Sequence, residues 1–346
     1  MKRYLSLLLI LLLCLCAVPA FADTTEINSV DGLKAIAQNP SGDYVLTGDI
    51  DLAGIDWTPI PFSGTLDGNG HTIYNLTVTK PGPDTRITQD GNLKEYETVF
   101  AGLFSAVEHA DISDLKLKGV YVDIVNDTHC FASGLCGYIA DSRITDCYVS
   151  GRIRMVNNAV MAGVAGFAGF GCGDFKRDQA NVELVFEDRN FSSKCEEFLG
   201  AILSCGIGNI TDCMVDIDGY DSCHGYVHNG GLCGMYYHCG TGGQKGVING
   251  NFINGRIWFF EDNIDRRAYC EPTAGEHLNK PEEEKNNTSS FESKETKDYN
   301  TVLLPEMCEN PVYTETVVAP TEYAWGYTKH ECSGCGYHWN DTYVPN

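Results

Sequence analysis

The chain contains 346 residues, of which 37 are glycine and 43% are hydrophobic. This apolar content is sufficient for a sizeable core, which excludes a wholly disordered chain. With 24 basic and 47 acidic side chains, the formal net charge is −23. Such a surface repels a phosphate backbone, so we expect no nucleic-acid partner.

The first 22 residues have the pattern of a cleaved export signal. Lys2 and Arg3 form a basic start, an apolar run extends from Tyr4 to Cys16, and Ala20 and Ala22 are small residues before the expected cleavage site. No later segment reaches the roughly 18 apolar residues of a membrane helix. We therefore expect residues 1–22 to be a signal peptide, and the mature protein to be secreted or on the cell surface with no membrane span.

The strongest signal in the sequence is an internal repeat with a step of about 30 residues. Each copy starts with isoleucine, usually has Asp or Asn two residues later, and has an aliphatic residue at its sixth position. The copies start at Ile73, Ile112, Ile144, Ile210 and Ile248. The step from Ile112 to Ile144 is one period and the step from Ile144 to Ile210 is two, so a further copy is expected between them. It starts at Gly163–Gly166, and its second strand is predicted over Val182–Phe186.

The repeat predicts an all-β fold. Each copy offers short strands of alternating polarity, separated by Gly, Asn and Asp, and no helical periodicity fills the unit. One unit cannot bury its apolar face, whereas stacked units share a continuous core. We predict a right-handed parallel β-helix (a solenoid) over residues 23–262, with the isoleucines forming an inward ladder. Ser29, followed by Val30 and Leu33, predicts a short N-terminal capping helix.

Two parts of the repeat region resemble known surface proteins. The segments Asp49–Ile60 and Phe62–Ile73 look like the opening coils of bacterial surface β-helices. The segments Gly134–Gly137 and Ile144–Gly151 resemble the GLUG repeat of bacterial secreted and adhesin-like proteins. The resemblance covers residues 27–260 and implies exposure on or outside a bacterial cell, with a binding role. It carries no catalytic residues.

The remainder of the chain divides into two predicted parts. Residues 263–310 are predicted to be an acidic flexible linker, because residues 261–310 contain 13 acidic and 6 basic side chains. Residues 311–346 regain aromatic side chains and look like a small Cys-x-x-Cys-Gly module that recurs in surface proteins of Gram-positive anaerobes. The function of that module does not follow from the resemblance.

The C-terminal module contains the residues most suited to a metal. Cys332 and Cys335 have the spacing of half a tetrahedral zinc site, which Cys308 and His338 can complete. A local disulfide, or a pair of free thiols in an exported tail, accounts for the same spacing. Both interpretations stay open.

A second metal hypothesis concerns the aspartates of the repeat. Asp114, Asp146 and Asp212, with Asn75 in the same position of its copy, can stack into an acidic ladder, and stacked carboxylates can bind Ca²⁺. Each of them also lies where the chain must turn a corner, and Asp and Asn favour such turns through bonds to their own backbone. The turn interpretation is favoured.

Four aromatic residues are candidates for ligand binding. Trp57, Tyr121, Tyr148 and Trp258 are expected to face outward from strands, where rings can stack on sugars. Ordinary coverage of an apolar surface explains scattered aromatics equally well.

The sequence thus supports two functional hypotheses. The first is an exported, non-catalytic surface or secreted binding protein, adhesin-like, with an extracellular glycan or protein ligand. The alternative is a polysaccharide lyase or glycoside hydrolase of the β-helix type. Among motifs with a known mechanism, the chain contains no Gly-x-Ser-x-Gly elbow, His-Glu-x-x-His helix or phosphate loop.

Overall fold

The chain forms a parallel β-solenoid, which confirms the predicted fold class. Its coils stack on one another through three sheets, here named A, B and C, whose strands pair in parallel except that Thr85–Gln89 pairs antiparallel with Glu95–Ala101 at the edge of sheet C. The computed structural model describes residues 24–89, 95–157, 159–187, 196–222, 225–237, 246–260, 268–277, 281–296, 312–319, 326–334 and 338–344. The predicted signal peptide, residues 1–22, lies outside these ranges. No helix within them is long and apolar enough to cross a membrane.

Sheet A is the largest sheet of the described residues and has 14 strands. They are β1 (Thr25–Ile27), β2 (Asp43–Leu46), β4 (Ile60–Phe62), β5 (Thr65–Asp67), β10 (Phe104–Glu108), β11 (Asp111–Ser113), β14 (Cys136–Thr145), β17 (Ala168–Lys176), β20 (Leu203–Ile207), β21 (Ile210–Thr211), β24 (Cys233–Tyr236), β25 (Val247–Asn249), β28 (Ala274–His277) and β29 (Glu283–Lys285).

Sheets B and C complete the coils. Sheet B contains β3 (Ile50–Asp51), β6 (Thr72–Tyr74), β7 (Thr77–Val78), β12 (Lys116–Asn126), β15 (Tyr148–Asn157), β18 (Gln179–Glu187), β22 (Met214–Asp221), β26 (Phe252–Phe260), β30 (Thr288–Ser289) and β31 (Glu292–Thr296). Sheet C contains β8 (Thr85–Gln89), β9 (Glu95–Ala101), β13 (His129–Ser133), β16 (Met161–Ala165), β19 (Glu196–Gly200), β23 (Tyr226–Gly230) and β27 (Ala268–Glu271). One coil therefore runs from C to A to B, as β16, β17 and β18 do.

The predicted N-terminal helix is confirmed. Helix α1 spans Val30–Ala35 and continues into a 3₁₀ turn, Ile36–Gln38. The Ser29 Oγ accepts a hydrogen bond from the Gly32 backbone N–H at 3.2 Å, which satisfies one of the free donors of the first turn. Leu33 is fully buried in the main core. The helix is thereby fixed against the first coil.

The isoleucine ladder faces the core, as predicted. Ile112 pairs with Ile144, which pairs with Phe175; the ladder continues through Ile210 to Ile248. None of the five side chains is more than 1% exposed. The same apolar position therefore lies over itself in each of these coils, about 4.8 Å apart.

The first copy of the repeat was predicted in the wrong register. Ile73 pairs with Leu117 in sheet B, and it is Leu66 that pairs with Ile112 in sheet A. Leu66 does not show the pattern of the repeat, because Gly68 lies two residues later and His71 occupies the sixth position. Asn75 is consequently not in line with Asp114.

A second, smaller hydrophobic cluster lies between sheet C and the first half of the sheet A strands. It depends on glycine: a Cβ added at Gly137 would lie 2.4 Å from the Phe100 Cβ, and one at Gly169 would lie 2.7 Å from the Phe131 Cβ. The second glycine of the Gly-Leu-Cys-Gly motif is therefore required for the close approach of the two sheets. The buried residues of this cluster are Phe100, Phe131, Met161, Phe170, Phe198, Cys205 and Met235.

Four cysteines of the core, Cys136, Cys147, Cys213 and Cys233, are buried free thiols. Burial raises the pKa of each thiol above its ordinary value. They therefore pack as small hydrophobic side chains.

Buried polar side chains stabilise the turn between sheets A and B. The Asp178 Oδ1 accepts a hydrogen bond from the Cys147 N–H at 2.9 Å, and two coils further on the Asn251 Oδ1 accepts from the Cys213 N–H at 2.8 Å. The Asn251 amide also donates to the Ile210 carbonyl at 2.8 Å. Asp178 is fully buried, and burial raises the pKa of its carboxyl well above the usual range.

The predicted linker over residues 263–310 is wrong for residues 268–277 and 283–296. These residues form another coil: β27 pairs with β23, β28 with β24, β29 with β25, and β31 with β26. Main-chain pairing does not require apolar side chains. The few side chains of this coil that point inward pack against the core or form hydrogen bonds there. Phe291 packs against the core, and the Asn287 Oδ1 accepts a hydrogen bond from the Asn251 N–H at 3.1 Å.

A truncation in the isoleucine ladder should test its contribution to stability. We expect Ile144→Ala to lower the free energy of unfolding by about 2–5 kcal/mol, because it leaves a cavity at a fully buried position. Val125→Ala, at a side chain that is 63% exposed, is the control and should change it by no more than about 0.5 kcal/mol. Urea unfolding measures both, and equal effects would contradict the ladder.

The buried Asp178 should make stability depend on pH. Since its pKa is higher in the folded chain than the unfolded value of about 3.9, the folded state loses stability as the pH rises from that value. Asp178→Asn removes this loss, so the stability of the variant relative to the wild type should increase between pH 4 and pH 7. Asp174→Asn, at an exposed carboxylate, is the matched control. If the difference in the free energy of unfolding between Asp178→Asn and the wild type is constant over this pH range, the raised pKa of Asp178 is contradicted.

Candidate functional site

Trp57 was predicted to face outward, and that prediction is wrong. Its side chain is 3% exposed and belongs to the main core. The indole Nε1–H donates a hydrogen bond to the Leu103 carbonyl oxygen at 2.8 Å. A buried indole needs such a partner, so Trp57 is a structural residue that connects the first coils.

The other three predicted aromatic residues lie on the outer face of sheet B. Tyr148 is nevertheless only 8% exposed. Tyr121 is half-buried and donates its hydroxyl to the Asp123 Oδ2 at 3.0 Å; burial raises the pKa of Tyr121 to about 12. Trp258 is half-buried and carries the Lys294 ammonium 5.1 Å from its ring centroid.

These residues do not form one aromatic platform. Tyr121 lies in β12 and Trp258 in β26, which are four strands apart in sheet B and therefore about 19 Å from each other. Tyr148 occupies a third position along its strand, in register with Lys116. A single run of sugar rings cannot be stacked on all three at once.

Only some of the candidate zinc ligands lie within the described residues. Cys332 ends β33 (Gly326–Cys332) and is 2% exposed. Cys308 and Cys335 lie outside the described residues, and His338 begins β34 (His338–Val344), of which only the backbone is described. The zinc site stays a prediction.

The aspartates of the repeat lie in turns, as favoured above. Asp114, Asp146 and Asp212 have left-handed backbones, with φ of 49°, 56° and 55°. The equivalent residue of the intervening coil is Arg177, with φ of 57°, and it forms an ion pair with Asp146 that lowers the pKa of that carboxyl. An arginine thus interrupts the acidic ladder, and no group of three potential metal ligands occurs among the described residues.

The structure instead contains a groove on the outer side of sheet A. It comprises two adjoining cavities of about 600 and 710 Å³ that share Asp111, Arg143, Asp174 and Asn209 in their walls. It follows the line where the sheet A strands bend, marked by a register shift in β14 at Asp141. We name it the corner groove.

A ladder of polar side chains crosses the corner groove. Asp111 pairs with Arg143 and Arg143 with Asp174 on successive strands, and Asn209 follows in the next coil. The Arg143 guanidinium donates to both Asp111 carboxylate oxygens, each at 2.7 Å, and this holds the pKa of Asp111 below its usual range. The Asn209 amide donates to the Asp174 Oδ1 at 2.8 Å. The groove therefore presents paired, planar hydrogen-bonding groups.

This site was not predicted from the sequence. The signal was present in the repeat: Asp111, Arg143, Asp174 and Asn209 each directly precede a member of the inward ladder. Because successive side chains of a strand point to opposite faces, this position must face outward in every coil.

Comparisons with known proteins assign neither a family nor a function to the chain. No family model matches the sequence, and no curated protein matches it. Among solved structures, the chain is similar to an IgA1 protease, with 17% identity and a TM-score of 0.39, over 79% of this chain. That alignment spans 22% of the IgA1 protease chain, about a fifth of its length. Similarity at this level carries no argument about activity, and the GLUG resemblance stays a prediction.

The turn aspartates give a test that separates a turn from a calcium ligand. Asp212→Val should lower the free energy of unfolding by about 1–2 kcal/mol, because a β-branched residue is strained at positive φ, whereas Asp212→Gly should be nearly neutral. Thermal melts of both variants measure this. If added Ca²⁺ raises the melting temperature of the wild type but not that of Asp212→Gly, Asp212 is a calcium ligand instead.

Proposed function

We propose that the protein is an exported, non-catalytic binding protein that holds an extended glycan in the corner groove. The observation that carries the proposal is the polar ladder of Asp111, Arg143, Asp174 and Asn209, which repeats at the spacing of the coils. Carboxylate, guanidinium and amide groups together offer both acceptors and donors to neighbouring sugar hydroxyls. A groove that crosses several coils suits a chain-like ligand.

The charge of the groove favours a neutral ligand over a polyanionic one. Three carboxylates, Asp111, Asp141 and Asp174, line its two cavities, against two basic side chains, Arg143 and Lys176. Without the predicted signal peptide, which contains Lys2 and Arg3, the net charge falls from −23 to −25. Uronic-acid polymers would be repelled by both the groove and the whole surface.

The alternative, a polysaccharide lyase or hydrolase, finds little support in the groove. A general acid needs a carboxyl whose pKa is raised toward neutrality. The pKa of Asp111 is lowered, because Arg143 stabilises its ionised form. Arg143 is in turn engaged by that carboxylate. The pair is suited to binding.

The test is a binding measurement with a matched pair of variants. Titration calorimetry with neutral polysaccharides should give saturable binding to the full chain, and uronic-acid polysaccharides should give none. Arg143→Ala should weaken binding about tenfold, because it removes charge-assisted hydrogen bonds. Arg256→Ala removes an equivalent Arg–Asp pair, with Asp218 on sheet B, and should leave the affinity unchanged.

Two outcomes would contradict the proposal. One is binding of neutral glycans that Arg143→Ala does not weaken, because the ligand would then lie elsewhere. The other is the release of reducing ends or unsaturated products from any of these polysaccharides, with or without Ca²⁺, since that would establish the catalytic alternative.

A further inference from the structure

The outer face of sheet B is buried over two coils and exposed on both sides of them. Along β15 and β18, the outward side chains of Tyr148, Ser150, Arg152, Asn181 and Glu183 are at most 8% exposed. We name these five residues the covered patch. Solvent-facing positions of a solenoid would not be buried in this way unless another part of the chain lay on them.

The neighbouring coils show what the uncovered face looks like. In β12, Val125 is 63% exposed, whereas Val156, its partner in β15, is 2% exposed and Glu187 in β18 is 7% exposed. In β22, beyond the patch, Asp218 is again half-buried. Met214 of β22 is also buried, at 8% exposed, but along the stretch from Arg152 to Val156 and its partners in the adjacent strands the burial of outward side chains is confined to β15 and β18.

The C-terminal sheet accounts for this burial. It is antiparallel and consists of β32 (Tyr313–Val318), β33 and β34. Of its strands, β34 lies against β15 and β18, the two strands that carry the covered patch. The described part of the module predicted over residues 311–346 thus lies against the solenoid through β34.

The side chains of the covered patch are polar, which favours a contact that can open. The Arg152 Nε donates to the Glu183 Oε2 at 2.6 Å, with both side chains at most 6% exposed. The Ser150 Oγ is buried without a hydrogen-bond partner among the described residues. Polar interfaces of this kind are typical of transient contacts between domains, and each unmet polar group lowers the cost of separation.

We propose that the covered patch is a docking surface for the C-terminal sheet of the same chain, and that the docked sheet closes this face of the solenoid to other molecules. The surface is distinct from the corner groove, so the proposal stands independently of the glycan. Tyr148 lies in β15, one of the two strands that β34 contacts, and the Lys118 ammonium is 5.7 Å from its ring centroid.

Nitration by tetranitromethane, followed site by site with mass spectrometry, tests the proposal on the full chain. In the wild type, Tyr148 should react much more slowly than Tyr226, which is 41% exposed. Arg152→Glu places a second acidic side chain beside Glu183 beneath β34, so it should open the contact and accelerate nitration of Tyr148 at least about tenfold. Arg256→Glu reverses a charge of the same ladder outside the patch and should leave the rate unchanged.

Three outcomes would overturn the proposal. The first is wild-type nitration of Tyr148 at the rate of Tyr226, which decides the matter even if a variant fails to fold. The second is an unchanged Tyr148 rate in an Arg152→Glu protein that keeps the wild-type circular dichroism spectrum. The third is protection of Tyr148 that disappears on dilution, because the covering sheet would then belong to a second copy of the chain.

Discussion

Parallel main-chain hydrogen bonding between successive coils is the constraint on which the rest of the molecule depends. It fixes the register, so that each position of one coil lies directly over the same position of the next. Inward positions must then be apolar or paired, as the ladder through Ile144 and the buried turn residue Asn251 show. No coil can satisfy this alone, because its hydrogen-bonding edges and apolar face are completed only by its neighbours.

The same register places functional side chains. Outward positions form ladders spaced by one strand, so a few substitutions in successive copies create an extended surface. Two such surfaces differ in their availability: the corner groove, crossed by Arg143, is open, whereas the sheet B face around Arg152 lies beneath the C-terminal sheet. Both arginines pair with a carboxylate of a neighbouring coil, yet only the exposed one can meet a ligand.

The repeat predicts the fold because it reflects the pairing directly: alternation sets inward and outward faces, and Asp at positive φ marks the turns. It fails where the chain departs from the consensus. Leu66 took the position expected for Ile73, and Trp57 lies inward in coils that the repeat did not align. Residues 283–296 were predicted to be a linker because their composition is polar, although pairing with β25 and β26 needs only the backbone. The groove depends on a bend in β14 that no residue type specifies.

Amide hydrogen exchange of the full chain tests the central claim, that one continuous stack of coils extends to residue 296. The account predicts that amides of β28, β29 and β31 exchange far more slowly than in an unfolded peptide, because each strand pairs with the preceding coil. Protection should decrease toward this last coil but remain measurable. Exchange of residues 274–277 and 283–296 at the rate of a free peptide, with protection ending near residue 260, would contradict the account.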